Sequence, residues 1–286
     1  MKLRKFLQET TLFSLATAIN KGILLLSLPI VGQVLSVSHF GLWSISQITV
    51  FFFSILFSFN GHAPIVRFGL KNHAKSKALT SKFLKINIVF LIITIASVNL
   101  FSGWFFWALL LSSIEGIKIL LLGYSRALEK NRIFIIISTF KIIAIIFATL
   151  IYSGNGVEEL LFYQSCIEGV LVMLSCIIIL GLPKSSIKLK WKYDQNLKFA
   201  LSLIPHSFSL WVIASSDRYI VKYLLGDEQL GFYSTIYALS QALMLINSGI
   251  AVQCQILYSQ DLKNILTGIQ EKNLSYYTLF YHYLYI

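Results

Sequence analysis

A set of ionisable residues stands inside apolar runs of this sequence: Lys21, Glu115, Lys118, Lys141, Glu168, Asp217, Arg218 and Lys222. A charge at bilayer depth costs ~2.5–3.5 kcal/mol on insertion scales, so such groups face a wet cavity or one another. Glu115 and Lys118 are spaced i, i+3 on one helical face and can pair. Arg218 and Lys222, at i, i+4, also share a face. Lys141 and Glu168 enter their runs from opposite ends; at ~1.5 Å rise per residue their depths differ by roughly 7 Å, within reach of long side chains or one water. The cations Lys21, Lys118, Lys141, Arg218 and Lys222 are therefore candidates to line a polar cavity. The carboxylates Glu115, Glu168 and Asp217 could balance that charge, or load and release a coupling H⁺ or Na⁺. The alternative reading is structural: Glu115 and Lys118 tie helices together, and Lys222 snorkels to the headgroups.

Covalent and metal chemistry find no comparable support. The sequence has no GxSxG, Walker or DxD motif and no metal-spaced His cluster. Cys166, Cys176 and Cys254 show no CxxC or His-paired spacing and are expected to be buried reduced thiols. No catalytic residue, metal or cofactor is expected beyond a coupling ion.

The elements that hold these charges are membrane spans. Hydrophobic residues make up 56% of the 286 and charged residues 13%, about half the share usual in soluble domains. Mean hydropathy is +0.74. A span needs ~20 mostly apolar residues to cross ~30 Å of hydrocarbon. About eight runs qualify, near 12–35, 40–60, 83–101, 103–124, 133–152, 160–181, 199–225 and 231–254. The stretch 274–286 resembles a partial ninth. The first run follows MKLRK and is too long for a signal-peptide core, so it is read as a retained span.

The net charge of +12 is a topology signal and does not call for a nucleic-acid partner. Lys2, Arg4 and Lys5 precede the first run; Arg67, Lys71, Lys75, Lys77 and Lys82 follow the second; Arg126, Lys130 and Arg132 follow the fourth. Lys184, Lys188, Lys190, Lys192 and Lys198 follow the sixth, and Lys263 and Lys272 the eighth. The alternate loops, at 36–39, near Ser102, at 153–159 and at 226–229, contain no Lys or Arg. This alternation predicts a multi-pass protein with its N-terminus in the cytoplasm.

HFGLWS at 39–44 opens the second run and QLGFYS at 229–234 opens the eighth. An even number of spans separates them, so both copies point the same way, as in a parallel repeat about an axis along the membrane normal. Two unrelated helix starts, each using a small residue and interfacial aromatics, would look similar. Pro29, Pro64 and Pro205 are either hinges or prolines tolerated near helix starts. His206, beside Pro205, titrates near neutrality in the open and more often serves structure. Trp43, Trp104 and Trp107 are placed at one interface, with Trp191 and Tyr193 at the other, as an aromatic belt.

Three stretches carry a family resemblance: NKGILLLSLPIVGQVLSVSHFGLWS, the loop with RALEKNR, and LKFALSLIPHSFSLWVIASSDRYIVKYLLGDEQLGFYSTIYALS. The third is the most specific, running Leu203-Ile204-Pro205-His206, Ser216-Asp217-Arg218-Tyr219, Gly226 and Leu230-Gly231-Phe232-Tyr233-Ser234. Together they resemble the Wzx-type oligosaccharide flippases of the MOP exporter superfamily, known from O-antigen and other bacterial polysaccharide biosynthesis. The resemblance implies an all-α integral membrane fold in a MATE-like, two-bundle architecture. Residues 1–182 would form a complete six-helix bundle, 183–198 a basic cytoplasmic linker, and 199–286 the start of an incomplete second bundle. Because the family typically has about 12 or more helices, this chain is expected to be a truncated product, a fragment or one part of a split protein.

The resemblance further implies transport of undecaprenyl-diphosphate-linked oligosaccharide across the bacterial plasma membrane, by alternating access. The polyprenyl tail would stay in membrane lipid while a cationic cavity receives the diphosphate and any acidic sugar. Other polysaccharide assembly proteins are the expected partners, and nucleic acid is not. Three other functions compete: a cation-coupled exporter of drugs or metabolites, a membrane enzyme, and a non-functional remnant. Short loops and missing catalytic motifs weigh against the enzyme.

Overall fold

The computed structural model describes residues 29–70, 72–101, 103–180 and 194–266, with 241–266 described as backbone only. All regular structure among them is helical. Helix α1, Val37–Ser58, starts where Ser36 Oγ accepts a hydrogen bond from the His39 amide at 3.3 Å. It stops at Phe59, whose left-handed backbone (φ 52°) turns its N–H back onto the Ile55 and Leu56 carbonyls. A short helix α2, His62–Gly69, carries Pro64 in its first turn, where a missing amide donor costs nothing. Helix α3, His73–Ala96, is capped by Asn72 and α4, Trp104–Ala127, follows.

Helices α5, Asn131–Ser138, and α6, Phe140–Ile151, are interrupted only at Thr139 and together form one 21-residue apolar crossing. Helix α7 is Val157–Leu180. Helix α8, Gln195–Ser202, begins at Asp194, whose Oδ1 accepts from the Leu197 amide at 2.9 Å. Helix α9, Ile204–Leu266, is broken at Gly226 (φ 86°, ψ −178°). That left-handed angle is one only glycine adopts without strain. Pro205 is the second residue of α9, again a first-turn position.

The break at Gly226 makes α9 a hairpin. Tyr237 donates to the Ala214 carbonyl at 3.1 Å, and Tyr233 to the Asp217 carboxylate. Along one continuous helix Ala214 and Tyr237 would lie ~35 Å apart. The seventh and eighth expected spans are therefore the two arms of this hairpin. The second to sixth appear as α1, α3, α4, α5 with α6, and α7. The first span and residues 274–286 lie mostly or wholly outside the described residues, as does most of the 183–198 linker.

Among the described residues, six apolar helical stretches are long enough to cross a membrane, the last holding both arms of α9 up to Ser240. The molecule is an all-α, multi-pass membrane protein. Lipid is as apolar as Leu, so packing and hydrogen bonds rather than hydrophobic burial hold such helices together. Helix α4 is central, touching α1, α2, α3 and α7, and α1 also packs along α9. One apolar cluster joins α1, α4, α6 and α7 around Trp43, Leu111 and Leu160; a second joins α2, α3, α4 and α8 around Ile65, Phe83 and Tyr124. Ser46, Thr49, Ser112 and Ser165 bond back to carbonyls of their own helices, which satisfies their hydroxyls without water.

Two expectations about apolar side chains are corrected. Trp43 is fully buried in the first cluster and is not part of an interfacial belt. Cys166 is exposed on α7, on the outside of the bundle, while Cys176 is half-buried. The faces of α7 were not visible in its nearly uniform hydropathy. Trp104 and Trp107 are half-buried; Trp191, Tyr193 and Cys254 lie where no side chain is described.

Candidate functional site

Two polar assemblies cross the helical core. The first joins α4, α6 and α7. Lys118 Nζ lies 2.5 Å from Glu115 Oε2 and 2.7 Å from Glu168 Oε1. Lys118 is 1% and Glu168 0% exposed, so this is a dehydrated ion triad. Half-buried Lys141 on α6 interacts electrostatically with all three. Two carboxyl groups thus face two amino groups. One Glu168 oxygen, Oε2, is buried without a hydrogen-bond partner.

The i, i+3 spacing correctly indicated the Glu115 to Lys118 pair. Depth along the helices brings Glu168 near the level of Lys141, yet its direct partner is Lys118, because the rotation of α7 turns it toward α4. One turn away on α7, Gln164 accepts from Gln47 Nε2 of α1 at 3.1 Å. The other amide atoms of this pair, Gln47 Oε1 and Gln164 Nε2, are buried and unpartnered. On α3, Asn87 is fully buried with neither amide atom hydrogen-bonded. Sequence reading missed these residues, since neutral amides hardly lower the hydropathy of an apolar run.

The second assembly runs along the seam between α1 and the first arm of α9. Asn60 donates to Ser207 at 3.0 Å, Trp211 Nε1 to the Ile48 carbonyl at 3.1 Å, and Thr49 and Tyr219 share a hydrogen bond of 2.6 Å. Farther along, Arg218 Nη1 approaches Ser44 Oγ at 3.4 Å. These pairings run antiparallel overall, as expected of the second and seventh spans, which lie an odd number of crossings apart.

Arg218 is 4% exposed and its guanidinium lies 4.0 Å from the Tyr237 ring centroid. Its Nε has no hydrogen-bond partner, and no carboxylate lies within ion-pair distance of its side chain among the described residues. The adjacent Asp217 instead accepts from the Arg218 backbone N–H at 2.9 Å and from the Tyr233 hydroxyl. Lys222, one turn closer to Gly226, pairs with Asp227 at 2.8 Å and sits 5.4 Å from the Trp104 ring centroid. Shared helical face notwithstanding, Arg218 and Lys222 have different partners. Lys21 lies outside the described residues, and His206 is exposed.

The two copies of the repeated phrase meet on this seam. A Cβ on Gly41 would lie 2.7 Å from the Asp227 carbonyl oxygen and from the Gly231 nitrogen; one on Gly231 would lie 2.0 Å from the Val37 carbonyl oxygen. The equivalent glycines thus sit at the closest approach of α1 and the second arm of α9. Three residues on from each, Ser44 and Ser234 are both fully buried.

The end of the bundle that carries Arg67, Lys82 and Arg126 is a basic rim tied by short-range contacts. Lys82 bridges to Asp194 at 2.8 Å, linking α3 to the start of α8. Partial burial opposes ionisation of Asp194, but hydrogen bonds from Lys82, the Leu197 amide and Asn196 outweigh it and hold the carboxyl down at about 2. Arg67 stacks 4.6 Å from the Phe199 ring centroid. Burial, aided by nearby Arg126, pushes His62 in α2 down to about 4.

Among the described residues no group of His, Cys, Asp and Glu is placed to hold a metal ion. Comparison with curated proteins and with solved structures yields no match. A family model described as "Polysaccharide biosynthesis protein" matches residues 6–255, which include both polar assemblies and the glycine crossing. The chain therefore belongs to the polysaccharide biosynthesis protein family of multi-pass membrane proteins.

Proposed function

We propose that this protein is a transporter of the Wzx type and MOP superfamily, moving undecaprenyl-diphosphate-linked oligosaccharide across the bacterial plasma membrane by alternating access. Family membership supports a role in making or exporting polysaccharide. The observation that carries the finer reading is Arg218, a guanidinium buried on a seam between spans without a carboxylate partner among the described residues. A charge kept at such depth is expensive; the adjacent Asp217 carboxylate eases that cost from beyond ion-pair distance, and a diphosphate would add direct acceptors for the planar guanidinium fork. The tail remains in lipid while the glycan passes along the polar seam.

Lys118, already matched by Glu115 and Glu168, serves this reading as part of a charge-balanced centre that H⁺ or Na⁺ coupling could address. Lys21, Lys141 and Lys222 remain proposed secondary contacts for anionic cargo. The N-terminus is placed in the cytoplasm and no enzymatic step is invoked.

The test is complementation of a strain lacking the gene. Wild type restores surface glycan, Arg218→Ala inserts normally but does not, and Arg218→Lys restores it in part. Full export by a normally inserted Arg218→Ala variant would overturn the assignment of Arg218. Normal surface glycan in the deletion strain would overturn the function.

A further inference from the structure

We infer that Phe52 of α1 and Phe208, Trp211 and Tyr219 of the first arm of α9 form a subsite for the sugar rings of the cargo. This inference rests on the transporter reading and adds which residues hold the glycan, where Arg218 is assigned to the diphosphate.

Three observations support it. First, the rings are contiguous and share one stripe. Phe208, Trp211, Ser215, Tyr219 and Lys222 recur every three or four residues, so one side of the arm presents them. The Trp211 ring centroid lies 4.5 Å from that of Phe52 and 5.6 Å from that of Tyr219, and Phe208 lies 5.7 Å from Phe52. The Phe208 and Trp211 rings are 6.3 Å apart and inclined by only 25°. Their faces are thus close to parallel, a platform braced from α1 by Phe52.

Second, polar edges hold the rings and leave their faces to a ligand. Trp211 Nε1 donates to the Ile48 carbonyl at 3.1 Å, and the Tyr219 hydroxyl shares its 2.6 Å hydrogen bond with Thr49. With those groups engaged on α1, what each ring still offers is its π surface. Phe208 is 48% exposed, and Phe52, Trp211 and Tyr219 are half-buried, so part of that surface is open. Pyranose rings suit it, because their C–H faces stack on aromatic rings while their hydroxyls stay directed outward.

Third, headgroup anchoring does not account for these rings. Trp211 stands seven residues after Ile204, where the arm begins, and Tyr219 seven before the break at Gly226. Each is therefore about 10 Å inside the arm, deeper than the interfacial belt in which Trp and Tyr usually sit. Arg218 lies seven residues beyond Trp211, again about 10 Å along the same helix. With the diphosphate at Arg218, the sugars that hang from it reach the platform along the seam.

The experiment measures equilibrium binding to the full chain purified in one detergent. Two probes are used: undecaprenyl diphosphate, and the lipid-linked oligosaccharide pool extracted from the deletion strain. The ratio of the two affinities isolates what the glycan contributes. Wild type should bind the glycosylated pool more tightly. Trp211→Leu and Phe208→Leu should each cut the ratio about three- to tenfold, the scale of one aromatic stacking contact. Trp211→Phe keeps a ring but loses the bond to Ile48, and should retain most of the ratio. A role confined to tying α9 to α1 would make phenylalanine as damaging as leucine, and that result would overturn the stacking role of Trp211.

If Trp211→Leu does not fold, Phe208→Leu carries the test, since that ring is half exposed and makes no hydrogen bond. A wild-type ratio near one, or a ratio unmoved by the leucine variants, would overturn the subsite and leave the assignment of Arg218 standing. Binding of neither probe by wild type would overturn the transporter reading itself, and the subsite with it.

Discussion

Removing Lys118 tests whether the buried triad is one electrostatic unit. Lys118→Met keeps the side-chain volume but leaves Glu115 and Glu168, formerly 2.5 and 2.7 Å from the same ammonium, facing each other in the core with Lys141 as their remaining cation. Breaking a buried pair by removing one partner costs about 3–5 kcal/mol, because a dehydrated charge loses its compensation. Glu168→Gln should cost less, about 1–3 kcal/mol, since Lys118 retains Glu115. The double variant restores balance, with Glu115 facing Lys141, and should be more stable than the two separate losses predict, by at least about 1.5 kcal/mol. Thermal unfolding of purified protein in one detergent reads these differences, Lys118→Met shifting the midpoint by on the order of 10 °C. Additive losses in the double variant would refute the triad as a coupled unit.

Other predictions concern the basic rim and the seam. His62 is held at about 4 against 6.5 for a free imidazole. The unfolded chain binds its proton first as pH falls, so stability is full above about 6.5, declines toward 4 and then levels; the loss is at most roughly 3 kcal/mol, and His62→Gln should flatten a pH series of unfolding midpoints. Asp194 both caps α8 and bridges to Lys82. Asp194→Asn keeps the cap and should cost under about 1 kcal/mol, whereas Asp194→Ala loses both and should cost about 1–2 kcal/mol, read by protease sensitivity near residue 194. Tyr233→Phe removes a hydrogen bond to Asp217 across the hairpin and should increase hydrogen exchange in residues 227–240 relative to α4.

Much of the helical scaffold was legible because bilayer thickness imposes a length that hydropathy measures directly. The limits have equally physical causes. The expected third span began at residue 83, but α3 starts at His73, since HAKSKALTSK is helical while too polar for hydrocarbon. The short helices α2 and α8 escaped for the same reason: each runs for eight residues, below any span threshold. The turn expected over residues 226–229 contracts to a single glycine with non-helical angles. Pro64 and Pro205 sit in first turns, the tolerated position, rather than in the middle of a span.

The candidate site was legible residue by residue and poorly legible in its pairings. Spacing along one helix disclosed Glu115 with Lys118, but helix rotation, which hydropathy barely encodes in a membrane, decided that Glu168 joins them. The same ignorance hid Gln47 with Gln164 and Thr49 with Tyr219. The repeated phrase did better, because its two glycines are themselves the contact.

Transbilayer movement of the lipid-linked cargo tests the central claim most directly. A fluorescent polyprenyl-diphosphate oligosaccharide is placed in both leaflets of proteoliposomes and a membrane-impermeant quencher is added outside. The account predicts that wild-type protein renders the inner-leaflet pool quenchable, and that Arg218→Ala, reconstituted in equal amount, leaves it protected. An inner pool equally protected with and without wild-type protein would contradict it.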